Sequence, residues 1–427
     1  MRVLWLSMTS SLYKNSNNEK NNVAGGWISS LEHLITAIPE IYLGIVFYSK
    51  DSDEKKIKES VTYYPIKKSK KVIERVRRAT ISKKTDGINM LIIKKIIDDF
   101  KPNIIHVFGT ESNFGRITSY TDIPLVIHIQ GILTPYVNAW FPPGFSVFDL
   151  IFFNRFNFKK SILDIWNYQA NKKMAIRELQ IFKDCKYFMG RTEWDKNVIK
   201  ILSPISNYYY CSEVIRPVFY QSDVSWNDSL NKGNKIIIQS TLSSPLYKGF
   251  DLILKTAKIL LSDSKIQFEW QVYGVKDISF VERKLGIKHS DINVKLMGIA
   301  SPEELIDSLL KCDVYVHPSY IDNSPNSVCE AQILGVPTIV TNVGGLSSLV
   351  THSETGIIIP ANDPYMLAFY IMQLKFDKQF ARNISKKERE VALERHNADK
   401  IIKTLMLNYH AIIKDSNSCK ELKIINK

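Results

Sequence analysis

The chain has 427 residues, 45% hydrophobic and 23% charged, enough for two buried cores and unlike a disordered or collagenous protein. A formal net charge of +14 favours an anionic partner: a nucleotide diphosphate, a nucleic acid or an acidic membrane face. No run of eighteen apolar residues occurs, so no span across a bilayer is expected. The five cysteines are scattered and lack metal-ligand spacing, which fits a reducing cytosol and no metal site.

The opening MRVLWLSMTS lacks a long basic region and a small-residue cleavage site. It reads as a first buried strand over Arg2–Met8 rather than a signal peptide. A polar, asparagine-rich loop leads to Gly25-Gly26 and a helix over Trp27–Ala37. Adjacent glycines at a helix start let the backbone approach a ligand and leave amides free for phosphate. Strands over Ile41–Tyr48, Val61–Ile66, Ile104–Phe108 and Leu125–Ile129, with a helix over Asn89–Phe100, give the βαβ rhythm of a doubly wound sheet. His106 and His128 fall near strand ends.

The basic run Lys67–Lys84 is either a solvated surface or a contact with acidic lipid. No zinc finger, helix-turn-helix or ribonucleoprotein motif supports nucleic acid. From Trp140 to Tyr168 the chain is rich in Phe, Trp and Ile, with Arg155, Lys159 and Lys160 interleaved. Three readings stay open for it: a segment lying at a membrane interface, an extension of the core, or a loop over an acceptor cleft. A strand over Tyr187–Met189 precedes a helix with Thr192 as its N-cap. Arg191 beside it either reaches an acidic ligand or pairs with a structural carboxylate. Val214–Pro217 links to a second domain.

That domain opens with a strand over Lys235–Thr241, then Lys248-Gly249 and a helix from near Asp251. Strands over Phe268–Tyr273 and Val294–Gly298 and a helix over Pro302–Leu310 follow. The stretch Asp313–Pro360 carries most of the chemistry. Val314–Val316 is a short bounded strand, Ser324-Pro325 is a helix start, and Gly335 and Pro337 end that helix. Pro337–Thr341 is a further strand, and Gly344-Gly345 opens a turn. Asp322 lies in the loop, and Glu330 lies eight positions on (330 − 322), inside the helix. Asn326 and Glu330, one turn apart, share a face leaning toward the loop. Both acids can therefore converge at a strand's carboxyl end beside a helix N-terminus, where open α/β sheets hold ligands. Asp363 caps another helix, and Ala398–Ile413 reads as a long amphipathic helix.

His-Pro-Ser, acid-x7-Glu, Ala, Gly-x-Pro, Gly-Gly and Thr-Gly-x-x-x-Pro together resemble the C-terminal signature of family 4 glycosyltransferases, which are retaining enzymes. Lys248-Gly249, the Gly25-Gly26 loop, the LVIHIQG strand and Gly-Arg-Thr-Glu-Trp-Asp extend the resemblance toward polysaccharide-building members. It implies the GT-B fold: two Rossmann-like doubly wound α/β domains facing an interdomain cleft. The expected domains are an acceptor-side one over 1–212 and a nucleotide-sugar-binding one over 213–397. A helix over 398–427 is expected to cross back to the first.

The implied activity is transfer of a sugar from a UDP- or GDP-linked donor, with retention and no cofactor or metal, to a glycan or polyprenyl-diphosphate-linked acceptor. The implied setting is cell-surface polysaccharide synthesis in the cytoplasm, at or near the inner face of the plasma membrane. His128, Asp322 and Lys248 are the implied catalytic residues. Gly25, Gly26, Lys248, Ser324, Asn326, Ser327 and Glu330 are the implied donor contacts. The sequence departs from the pattern at three places: Asp322 stands where Glu is usual, Ser348 where another Glu is common, and Ser240 and Thr241 where an Arg holds the diphosphate. Hydroxyls can bind phosphate oxygens but do not neutralise charge, so Arg216 and Arg191 are candidates to replace that cation. The alternatives are a non-catalytic protein that binds nucleotide sugar or membrane, and a sugar-nucleotide 2-epimerase of the same fold.

Overall fold

The computed structural model describes all residues except 14–25, 50–52, 68–82, 155–156, 222–223, 229–232, 263–265 and 426–427; the side chains of 83–86, 88 and 420–425 also lie outside the description. Gly25 and almost all of the basic run Lys67–Lys84 therefore fall outside the described residues. The chain divides into two compact units: Met1–Thr134 with Asn167–Val214 and His396–Lys427, and Pro135–Trp166 with Ile215–Arg395.

The first unit holds an eight-stranded sheet. Its strands are β1 (Arg2–Ser7), β2 (Tyr42–Ser49), β3 (Lys56–Lys58), β4 (Val61–Lys67), β5 (Ile104–Phe108), β6 (Leu125–His128), β7 (Tyr187–Gly190) and β8 (Asn207–Tyr210). They lie in the order β3-β4-β2-β1-β5-β6-β7-β8, and only the short edge strand β3 runs antiparallel. Side chains alternate between two apolar layers, as strands buried on both faces require. Val3 and Trp5 of β1 join one core with Leu43, Ile45, Ile104 and Val126. Leu4 and Leu6 join the other with Val46, Ile105, Val107 and Ile127.

The last helix, Ala398–Ile425, covers the first of these layers. Its Ile401, Leu405, Tyr409 and Ile412, about one turn apart, are buried there. Tyr409 Oη sits 2.6 Å from His106 Nδ1 and accepts from Trp5 Nε1 at 3.2 Å. His106 is thus part of a buried hydrogen-bonded stack, and burial lowers its pKa to about 3.

The second unit holds a six-stranded parallel sheet: β9 (Ile236–Thr241), β10 (Phe268–Tyr273), β11 (Val294–Gly298), β12 (Val314–His317), β13 (Thr338–Thr341) and β14 (Ile357–Ile359). The order β11-β10-β9-β12-β13-β14 reverses direction between β9 and β12. At such a switch point the loops leaving two neighbouring strands turn to opposite sides and open a crevice at their carboxyl ends. Lys248 follows β9 and Asp322 follows β12.

Three assignments differ from the sequence reading. Residues 135–166, read as part of a continuous first domain, belong to the second unit, because Phe145 and Leu150 are buried in its core. The first unit's main body ends at Val214 instead of 212, and the C-terminal stretch begins at His396 instead of 398. The helix expected from Ser324-Pro325 spans Asn326–Leu334 with Pro325 as its N-cap, and the Ser324 hydroxyl lies 3.8 Å from Cys329 Sγ. Two other expected caps are present: Thr192 accepts from Asp195 N, and Asp363 from Tyr365 N and Met366 N.

Candidate active site

Asp322 is the most heavily bonded side chain at the β9–β12 switch point. Its Oδ2 lies 2.6 Å from Lys248 Nζ and 2.9 Å from His317 Nε2. Its Oδ1 accepts from Asn323 N at 3.1 Å and from Tyr136 Oη at 3.3 Å. Burial pushes this carboxyl up, but the Lys248 charge and the His317 hydrogen bond outweigh that and hold it well below the usual carboxylate range. Asp322 is therefore ionised with both oxygens engaged. Burial lowers the His317 pKa and the Asp322 bond only partly restores it, so the ring is neutral with Nε2–H donating to the carboxylate.

Two glycines make this approach possible. Gly249, at φ 80°, follows Lys248; a Cβ there would stand 2.0 Å from Pro318 O. Gly344, at φ 52°, would place a Cβ 1.9 Å from Asp322 O, while Gly345 N donates to that carbonyl at 2.9 Å. Both combine a left-handed backbone with contact too close for any side chain.

Glu330 sits in the helix Asn326–Leu334 with Oε1 2.8 Å from Arg216 Nε. Burial raises its pKa, and Arg216 opposes the shift without cancelling it. Arg216 in turn lies over the Phe219 ring, 4.8 Å from its centroid. Ser327 and Thr241 flank the buried Tyr315 hydroxyl, whose ionisation burial suppresses and these two hydroxyls oppose. Asn326 opens the same helix. The unit thus brings together Lys248 with Asp322, Arg216 with Glu330, and Thr241 with Ser327.

Ser240 is placed differently. Fully buried, it donates to Val316 O at 2.8 Å and accepts from Trp270 Nε1 at 3.0 Å, so its hydroxyl is spent joining three neighbouring strands. Its position inside the sheet follows from alternation: Thr241, the next residue, takes the opposite face.

The first unit holds the remaining candidates. Gly26, at φ 52°, begins the helix Gly26–Ile35. His128, at the end of β6, is fully buried, with Nε2 3.1 Å from Cys211 O and Trp27 packed against the ring at 5.1 Å. Burial, with the neighbouring His106 and Arg191, holds its pKa well below the ordinary value. The ring is neutral, donates from Nε2 and leaves Nδ1 as a buried acceptor without a protein partner. Arg191 Nη1 lies 3.5 Å from Glu213 Oε2, both buried, and Nη2 donates to Gln130 O at 3.2 Å. Arg191 thus pairs with a buried carboxylate.

The model for the family described as Glycosyl transferases group 1 matches residues 224–391. The second unit carries a group 1 glycosyl transferase domain. Among curated relatives, amylovoran biosynthesis glycosyltransferase AmsK of Erwinia amylovora is 23% identical over 189 residues, covering 42% of this chain and 45% of its own. The aligned stretches span 22%, 35% and 60% of the first three curated relatives. In structure, the chain resembles sucrose-phosphate synthase from Thermosynechococcus elongatus, with TM-score 0.69 and 14% identity over 100% of both chains. It also resembles Anabaena Alr3699/HepE in complex with UDP and glucose, with TM-score 0.59 and 12% identity over 96% of this chain and 100% of that one. The fold is GT-B, two Rossmann-like domains with parallel sheets.

Within the group 1 domain and the segment joined to it, three residues were missed as site components. His317 stood in the His-Pro-Ser signature, and its spacing of five from Asp322 was the available signal. Tyr136 and Tyr247 had none. Their rings meet edge to face at 5.4 Å beside Lys248, although they are far apart in the chain.

Proposed function

We propose that the protein is a nucleotide-sugar-dependent glycosyltransferase that transfers a hexose with retention of configuration. The observation that carries this reading is the pair of acid–cation couples, Lys248–Asp322 and Arg216–Glu330, at the carboxyl ends of β9 and β12. Departure of a nucleotide diphosphate builds negative charge, and a fixed cation aimed at that charge lowers the barrier. Lys248 is the cation assigned to the diphosphate. Arg216 is the second, standing in for the Arg absent at the end of β9. Glu330 takes the ribose hydroxyls, and Asn326 and Ser327 at the helix N-terminus add polar contacts.

Asp322 has a different task from the one its place in the signature implies. With both oxygens held by protein donors, it sets the position and charge of Lys248 and His317 rather than reaching freely toward the sugar. The side chain is one methylene shorter than the usual Glu, in keeping with that withdrawn position. His128 offers a neutral acceptor, Nδ1, for a sugar hydroxyl once Trp27 moves from its face. No step in this reading is routed through a metal.

UDP is the favoured base carrier because the similar HepE structure was solved with UDP and glucose. The acceptor is a glycan or a lipid-diphosphate-linked sugar in polysaccharide synthesis, the process named for AmsK. We place the reaction in the cytoplasm, where a lipid-linked acceptor would draw the protein to the inner membrane face. Among the described residues no helix is long and apolar enough to cross a membrane.

The reading is tested by incubating the protein with labelled UDP- and GDP-sugars and lipid-diphosphate acceptors. Label should reach the acceptor from one donor class, and Glu330→Gln should lower kcat/KM by about a hundredfold or more. Full transfer by Glu330→Gln would remove the site assignment.

A further inference from the structure

Two loops of the second unit carry the Lys248–Asp322 pair, and Tyr320 fastens one to the other. Its backbone N–H donates to Tyr247 O at 2.7 Å, which joins the residue before Lys248 to the loop leaving β12. Its side chain returns to the same turn from the far side. Tyr320 Oη donates to Asp251 Oδ2 at 2.8 Å, in the first turn of the helix Phe250–Ser262. Lys248 lies between these two anchor points, and Tyr320 itself stands two positions before Asp322. One residue thus grips the Lys248 turn at both ends.

The far anchor is itself secured. Asp251 is buried, and Lys255 Nζ, one turn on in the helix, lies 2.8 Å from the same Oδ2. Asn362, from the loop after β14, accepts from Lys255 at 3.0 Å and lies 3.2 Å from Tyr320 Oη. Asp251 Oδ1 has no partner among the described residues, so Tyr320 and Lys255 orient this carboxylate. Burial and the Asp251 charge push the Tyr320 phenol up, which keeps it a hydrogen-bond donor. An acid in a helix's first turn is stabilising without any such bond, and a phenylalanine ring would fill the same space. What the hydroxyl adds is a fixed direction.

We infer that Tyr320 is a positioning residue for the diphosphate cation: its bonds to Tyr247 and Asp251 hold the turn 246–251 so that Lys248 faces Asp322. A cation ordered before its ligand arrives loses less affinity to ordering, and a fixed charge stabilises a leaving group better than a mobile one. The inference deepens the functional reading, on which its nucleotide readout rests; a second readout uses no nucleotide.

The test compares wild type with Tyr320→Phe, which keeps the ring and removes only the hydroxyl. Acylation of Lys248 by an N-hydroxysuccinimide ester is followed by mass spectrometry, with exposed Lys311 as the internal standard. Lys248 is 17% exposed and paired, so it should react slowly in wild type. In Tyr320→Phe it should react about threefold faster or more, because the turn opens more often. In calorimetric titration Tyr320→Phe should bind UDP or GDP about threefold to tenfold more weakly, and the same change should have no effect in a Lys248→Met background. Asp251→Ala cuts the bond from its other end, which keeps the test sound should Tyr320→Phe misfold. It should reproduce the faster labelling, and the double variant should add little to either single one.

Unchanged labelling of Lys248 in folded Tyr320→Phe would overturn the inference, as would an equal loss of affinity with and without Lys248. Wild type that binds neither nucleotide would overturn the functional reading together with the diphosphate role. Wild type that binds a nucleotide no better than Tyr320→Phe does would overturn the inference alone.

Discussion

Lys248 Nζ and Asp322 Oδ2 lie 2.6 Å apart, so the cation assigned to the diphosphate is neutralised by a carboxylate from the loop after β12. A bound diphosphate must compete with that carboxylate for Lys248. Asp322→Asn removes the competing charge while keeping the shape. We expect it to tighten nucleotide diphosphate binding about threefold to tenfold, lower transfer, and destabilise the fold by about 1–3 kcal/mol through altered buried hydrogen bonds. Calorimetric titration, a transfer assay and thermal unfolding of the same sample measure the three.

Arg216 and Glu330 form the second couple, with Glu330 the more buried partner. Arg216→Ala leaves that carboxylate without its cation and should destabilise the protein by about 3–5 kcal/mol, the range for breaking a buried pair. Arg216→Lys should recover part of this, since the single bond from Nε does not need the full guanidinium fork. Denaturant unfolding of the three proteins gives the order wild type, Lys, Ala.

A pH dependence follows from Glu111, whose carboxyl is pushed up to about 7 by burial, reinforced by the Glu178 charge. The folded state therefore holds a proton that the unfolded chain releases near pH 4. This contribution is full below the unfolded pKa and is lost as pH rises through about 7. Glu111 alone should make stability fall between about pH 4 and 7 with a slope of up to about 1.4 kcal/mol per pH unit, levelling off above that. Glu111→Gln should flatten that part of the curve, measured as unfolding free energy against pH.

Tyr409 joins the last helix to the first unit's sheet through His106 and Trp5. Tyr409→Phe leaves both partners buried and should cost about 1–3 kcal/mol. Cleavage by trypsin within the last helix should rise in proportion, read by limited proteolysis.

The strands and the motif positions were legible because they depend on local pattern. Buried parallel strands read as short apolar runs, Asp322 and Glu330 stand at fixed places in one signature, and Lys248 stands in the separate Lys-Gly motif upstream. Pairings were less legible. Arg216 meets Glu330 across 114 positions and Tyr136 meets Asp322 across 186, and no periodicity reports such contacts. Ser240 illustrates another limit, since a strand-end hydroxyl suits a phosphate or a neighbouring indole equally until Trp270 is seen beside it. Residues 135–166 were ambiguous for a related reason. Aromatic residues face both core and solvent there, so composition alone left the segment's partner open.

The central claim is that a nucleotide diphosphate binds where Lys248 stands, and calorimetric titration of UDP and GDP into wild type and Lys248→Met tests it most directly. The account predicts that wild type binds at least one of the two and that a folded Lys248→Met protein binds it at least tenfold more weakly, about 1.4 kcal/mol. Binding of neither nucleotide by wild type, or equal binding by both proteins, would contradict it.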